Sequence, residues 1–185
     1  MKTTDFKIGI AALAALFILA SCNGESQSSK TENDHSQHQT VAERDNPQAP
    51  KTKNEALDAL YPHYLALQEA LVAGDISKAK EAGLLVEEAG KHVDGAKDLQ
   101  EAASQVLSAE NINSQRDAFS SLSNALIELI KTHGVATGEF YVAHCPMAFN
   151  DKGANWLSPT KSIKNPYFGD KMLNCGSVEE TLRKL

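Results

Sequence analysis

The sequence predicts an all-α fold, an antiparallel four-helix up-and-down bundle continued by a loop-rich C-terminal segment that can hold a small β-hairpin and a short final helix. Three observations lead there. Apolar residues recur at helical spacing from Glu55 to about Thr132. Turn and capping signals cut that stretch into four pieces, and connections of a few residues make neighbouring helices antiparallel. Beyond Gly134 the punctuation by Gly134, Gly138, Pro146, Gly153, Pro159, Pro166, Gly169 and Gly176 ends the helical pattern.

Ahead of the bundle, Lys2 and Lys7 precede an apolar run from Ile8 to Ala20, and Leu19-Ala20-Ser21-Cys22 follows. A charged start, a run of about 13 apolar residues and small residues before the cut are the parts of a secretory signal. Spanning a bilayer takes roughly 20 apolar residues, so this run is too short. The segment resembles a bacterial lipoprotein signal with its lipobox at Leu19 to Cys22, which implies a signal over 1–21, cleavage before Cys22 and acylation of that cysteine. Cys22 is then a membrane anchor, and the protein faces the periplasm or the exterior. Residues 22–53 carry Ser, Gln, Asn, Thr, Glu and Pro with almost no large apolar side chain, and read as a lipidated, disordered tether. His35 and His38 lie in it as ordinary linker histidines. The formal charge of −6 becomes −7 once Lys2, Asp5 and Lys7 leave with the signal. An acidic, tethered domain argues against nucleic acid and suits cations.

Residues 54–185 form the domain. Its first helix carries Leu57, Leu60, Tyr61, Tyr64, Leu67 and Leu71, with Pro62 expected in its first turn or at a kink. Gly74-Asp75 ends that helix and caps the next, which carries Ile76, Ala79, Ala82, Val86, Ala89 and Val93 up to Gly95. A third has Leu99, Ala102, Val106 and Leu107 and stops at Asn111 to Asn113. Ser114 with Asp117 reads as a capping box for a fourth with Phe119, Leu122, Leu126, Leu129 and Ile130. His63 and His92 lack the Glu-x-x-His partners of carboxylate-bridged metal bundles, and Glu87 and Glu88 belong to a solvated face. Phe140 to Ala143 is strand-like, and Asn150-Asp151-Lys152-Gly153 is a turn that folds Ala154 to Leu157 back on it. Ser177 is read as the cap of the final helix, Val178 to Lys184.

The chemistry concentrates in His144-Cys145-Pro146-Met147 and Met172-Leu173-Asn174-Cys175. In extended chain Cys145 and Met147 share a face, and Met172 and Cys175 share one side of a turn. Thiolates and thioethers together select soft ions such as Cu(I) or Ag(I), with His144 as a further donor. The residues alone leave a second reading open: in an oxidising compartment Cys145 and Cys175 form a disulfide, and the methionines are packing residues. Zinc on His133, His144, Cys145 and Cys175 leaves the methionines unexplained. A thiol oxidoreductase lacks Cys-x-x-Cys, and no paired carboxylates, Ser/His/Asp arrangement or phosphate loop points to an enzyme.

The runs Tyr141 to Phe149, Lys152 to Ser158, Asn165 to Leu173 and Cys175-Gly176 resemble the family called domain of unknown function 3347. That family occurs in lipoproteins of Bacteroidetes-type bacteria and is appended to periplasmic adaptor subunits of copper/silver efflux pumps of the resistance-nodulation-division class. The resemblance covers about Asn54 to Val178, with its specific motif between Tyr141 and Gly176. It implies copper handling, with Cys145, Met147, Met172 and Cys175 as ligands and an efflux adaptor as partner. The resulting expectation is an envelope lipoprotein that buffers Cu(I) or Ag(I) or delivers it for efflux. The alternative is a disulfide-stapled interaction module.

Overall fold

The structure is a computed structural model that describes residues 49–185. The expected signal, Cys22, and the tether through residue 48 with His35 and His38 lie outside the described residues.

Four helices come first: α1 (Glu55–Ala73), α2 (Ile76–Gly90), α3 (Lys97–Ser108) and α4 (Ile112–His133). Each begins or ends where local chemistry demands it. The Asn54 side chain accepts from the backbone N–H of Ala56 and Leu57 at 2.9 and 3.1 Å, satisfying two donors that α1 cannot pair internally. Gly74 closes α1 in the left-handed region at φ 71°, and Asp75 accepts from Lys78 N–H to open α2. Pro62 lies in the second turn of α1, not the first, and the helix runs on through it. The second helix stops at Gly90, short of Gly95, leaving Val93 and Ala96 buried in the turn that follows. The fourth opens at Asn111, whose side chain accepts from Ser114 N–H at 2.9 Å. The expected capping box at Ser114 therefore lies inside the helix, because Asn at a position with extended backbone is already a strong cap.

Consecutive helices pack against each other. Leu57, Leu60, Leu67, Leu71, Val86, Leu99, Val106, Phe119, Leu122, Leu126 and Ile130 are at most 1% exposed. Each such side chain contributes about 1.5–3 kcal/mol. At Gly83 and Gly90 an added Cβ would stand 3.1 and 3.0 Å from α3 side chains, so these small residues set how near α2 and α3 come.

The C-terminal segment corrects the expectation of an all-α fold: the molecule is mostly helical but carries antiparallel strands. β1 (Lys51–Thr52) pairs with β2 (Val135–Thr137), so the last residues read as tether join the folded part. β3 (Glu139–Cys145), β4 (Ala154–Ser158) and β5 (Ser177–Arg183) form a sheet in the order β4-β3-β5. The hairpin is found as expected, with Cys145 opposite Ala154 and Tyr141 opposite Ser158. The final helix is not: Ser177–Arg183 is the strand β5, paired along β3 from Glu139↔Arg183 to His144↔Ser177. A seven-residue segment is too short to hold a helix unaided, whereas the open edge of β3 offers it a full ladder. One register shift, between Val142↔Glu180 and Ala143↔Val178, leaves Glu179 as an extra residue.

Helices and sheet are joined by buried polar groups. The Tyr64 hydroxyl on α1 donates to or accepts from Ser123 Oγ on α4 at 2.9 Å, and accepts Leu157 N–H from β4 at 2.9 Å. With its amide turned to match donors to acceptors, Gln68 receives Trp156 Nε1–H at 3.2 Å and donates to Leu157 O at 3.1 Å. Among the described residues no helix is long and apolar enough to cross a membrane.

Candidate functional site

Cys145 is the last residue of β3, fully buried, opposite the small Ala154. Its Sγ stands 2.8 Å from Sγ of Cys175, a partly exposed residue thirty positions on. Both are free cysteines. The separation lies between a disulfide bond of about 2.05 Å and the roughly 3.8 Å that two thiolates adopt at tetrahedral angles around an ion with metal–sulfur distances of about 2.3 Å. The pair is therefore within about 1 Å of either arrangement.

What brings Cys175 there is the local chain. Gly176 passes so close to β3 and β4 that an added Cβ would stand 2.7 Å from the His144 carbonyl oxygen and 2.8 Å from the Trp156 ring. Its φ of 133° is one that side chains avoid, so only glycine fits. Asn165, wholly buried, fastens the other side. Its Nδ2 donates to Cys175 O at 2.8 Å, its Oδ1 accepts Tyr167 N–H at 2.8 Å and Phe168 N–H at 3.3 Å, and its own N–H reaches Leu173 O at 2.8 Å. Arg116 of α4 then holds the loop to the helices, donating from Nε to Pro166 O at 2.8 Å and from Nη2 to Leu71 O at 3.0 Å. Burial lowers its pKa from the usual guanidinium value. At Gly169 a Cβ would strike Val72 O at 2.5 Å, so the loop sits directly on the end of α1.

Aromatic rings pack around Tyr167 of the same loop. Tyr167 meets Trp156 and Phe119 with ring centroids 6.0 Å away and Phe149 at 5.3 Å, and its hydroxyl donates to Asn155 O. Burial raises the Tyr167 pKa, so it stays a neutral donor. The Cys175 thiol is pushed up to about 11, first by its hydrogen bond with Cys145, then by desolvation and by the charge Cys145 would carry. The Met147 backbone N–H, directed at Cys175, works the other way.

The predicted ligand residues separate on this frame. Cys145 and Cys175 are brought together. Met172 is half-buried in the same turn as Cys175, whose N–H donates to Met172 O at 3.0 Å. Met147 is 47% exposed. It has helical backbone angles, φ −86° and ψ −7°, so the extended geometry expected for Cys145 and Met147 ends at Cys145. His144 points away from the thiols. Alternate residues of a strand face opposite sides, and His144 shares its side with Asn155, whose Oδ1 lies 2.7 Å from His144 Nδ1. His133 is occupied elsewhere, with Nδ1 3.2 Å from Asn54 Nδ2. Among the described residues no three His, Cys, Asp or Glu side chains gather as a metal-binding group. A third donor to an ion on the thiol pair would thus be methionine sulfur, backbone or water.

Sequence reasoning missed Asn165, Arg116 and Tyr64 as positioning residues. Only the neighbouring Pro166, among the residues that punctuate the chain beyond Gly134, marked the first of them. Met147 also lines a cleft of about 510 Å3 with Arg116, Asp117, Phe149, Asp151 and Tyr167. Its floor includes a short helical turn, Ala148–Asp151, in which Phe149, Asn150 and Asp151 have φ of 53°, 58° and 64°. That backbone costs roughly 1–2 kcal/mol per residue, and the Phe149 ring against Tyr167 helps to hold it.

A family model described as "Protein of unknown function (DUF3347)" matches residues 60–138. The match covers the helices that supply Tyr64, Gln68, Arg116 and Phe119 and ends before the cysteines. No curated protein and no solved structure matches the chain.

Proposed function

Starting from the match of residues 60–138 to the DUF3347 family model of unknown function, we propose that the chain is an envelope lipoprotein that binds Cu(I) or Ag(I) at Cys145 and Cys175. Its four helices would serve as an up-and-down bundle scaffold. The ion is cargo, buffered or handed to an efflux adaptor, and the protein is not an enzyme. The observation that carries this reading is the 2.8 Å approach of two free thiols, one buried and one partly exposed. Two thiolates suit a polarisable monovalent ion, and Met172, in the turn of Cys175, is the uncharged third donor that such an ion accepts. Each thiol yields its proton to water on loading. Cys22 would hold the protein on the membrane, where several acyl chains at about 0.8 kcal/mol per buried methylene suffice.

The test is titration of the reduced, detergent-solubilised full chain with Cu(I) against a chromogenic Cu(I) chelator. One ion per chain is expected. Cys145→Ser or Cys175→Ser should cost more than the about 100-fold that loss of an outer partner costs, and Met172→Leu about tenfold. Equal affinity in the double cysteine variant would end the reading.

The same contact favours a second reading, a Cys145–Cys175 staple in an interaction module, which would stabilise the fold by roughly 3–4 kcal/mol through its closed loop. Absence of reactive thiols in the native protein, with no effect of Cu(I) on melting after reduction, would select it.

A further inference from the structure

Two sulfurs can share an ion or share a bond with each other, but not both, because the ligand to a soft ion is a thiolate and a disulfide leaves none. The Cys145–Cys175 pair stands between those outcomes. At 2.8 Å its sulfurs are about 0.8 Å from bonding distance and about 1 Å short of the spread that an ion requires. The backbone that presents them is held without using either sulfur: Asn165 Nδ2 donates to Cys175 O, Gly176 is packed against the His144 carbonyl and the Trp156 ring, and Cys145 ends a strand paired with β4. Access is unequal. Cys145 is wholly buried and Cys175 is partly exposed, so an external reagent reaches the pair through Cys175. A disulfide with an exposed sulfur belongs to the labile kind, whereas structural bridges resist the glutathione pool.

Resting on the soft-metal reading above, we propose that the pair is a redox gate on that site: an external disulfide closes Cys145 onto Cys175 and expels the soft ion, and an external thiol reopens it. In closing, the Cys175 sulfur attacks the external disulfide; that S–S bond breaks, a mixed disulfide forms on Cys175, and one external thiol leaves with the Cys175 proton. The Cys145 sulfur then displaces the second external thiol, which takes the Cys145 proton. Two protein thiols are oxidised and one external disulfide is reduced to two thiols. From the loaded site water supplies both protons, and Cu(I) leaves still monovalent. Reopening is the reverse, beginning with attack of a thiolate on Cys175.

The test treats the reduced full chain in detergent with oxidised glutathione, desalts it, and titrates it with Cu(I) against a chromogenic chelator. Affinity should fall by more than about 100-fold as the thiols of Cys145 and Cys175 disappear. Reduced glutathione followed by desalting should restore both thiols and the affinity without unfolding the chain. Peptide mass spectrometry should find glutathione held on Cys175 in Cys145→Ser, and an unmodified Cys145 in Cys175→Ser. Thiols that stay free, unchanged affinity after closure, a bridge that opens only in denaturant, or glutathione held on Cys145 in place of Cys175 would overturn the proposal while leaving the soft-metal site standing. Failure of the reduced, unaltered chain to bind Cu(I) would remove the site and the gate together. Trp156, the chain's one tryptophan, is fully buried, so its fluorescence reports whether each variant is folded.

Discussion

At the level of single residues, the Cys175 thiol and the Asn165 carboxamide behave oppositely. The thiol has its pKa raised from 9.0 to about 11, chiefly by its hydrogen bond with Cys145. A group whose folded pKa lies above its unfolded one stabilises below the unfolded value and loses that contribution as pH climbs through the folded one. The benefit of the thiol contact should hold up to pH 9 and fade toward 11. Iodoacetamide labelling of the reduced protein should follow the same window, slow at pH 8 and accelerating above 9, and Cys145→Ser should move the profile back toward ordinary thiols. A profile unchanged by that substitution would contradict the cause assigned. Asn165 does not titrate, and the value of its side chain lies in satisfying three partners inside the protein. Asn165→Ala strands buried donors and an acceptor, each worth about 1–3 kcal/mol. It should lower stability by about 2–4 kcal/mol in urea unfolding, with Asn165→Asp retaining part of it.

Among elements, the turn that carries Cys175 depends on one glycine. Gly176→Ala forces the backbone away from His144 O and the Trp156 ring, where the clearances are 2.7 and 2.8 Å. The expected result is a loss of about 1–3 kcal/mol and slower oxidative pairing of Cys145 with Cys175, measured by free-thiol counting over time; pairing at the normal rate would show that the close approach is unnecessary. The four helices were legible because their signals are local: an apolar stripe, a cap and a stop occupy neighbouring positions. The strand Ser177–Arg183 was not, because what decides it is the open edge of β3, distant in sequence, and Val178, Thr181 and Leu182 fit either period. The cysteines stood out by rarity, and the structure brings those two together. Seating them relies on Gly176, Asn165 and Arg116, common residue types whose pattern carries no chemical signature.

For the whole molecule, the family match and the sulfur chemistry occupy different parts of one folded unit. Residues 60–138 build the seat, and the strands and loop after Gly138 bring the thiols to it. If the chain is anchored through Cys22, Cys22→Ser should shift it from the membrane to the soluble fraction of fractionated cells and abolish palmitate labelling, with helical circular dichroism unchanged. Retention in the membrane would place the anchor elsewhere. The fastening of the 165–176 loop has one more result. Asn165, the Tyr167 hydroxyl and Arg116 hold it by groups inert to oxidants that attack thiols, and none of these bonds involves Cys145 or Cys175 sulfur. Joining or parting the two sulfurs therefore breaks none of the hydrogen bonds that clasp the loop around them.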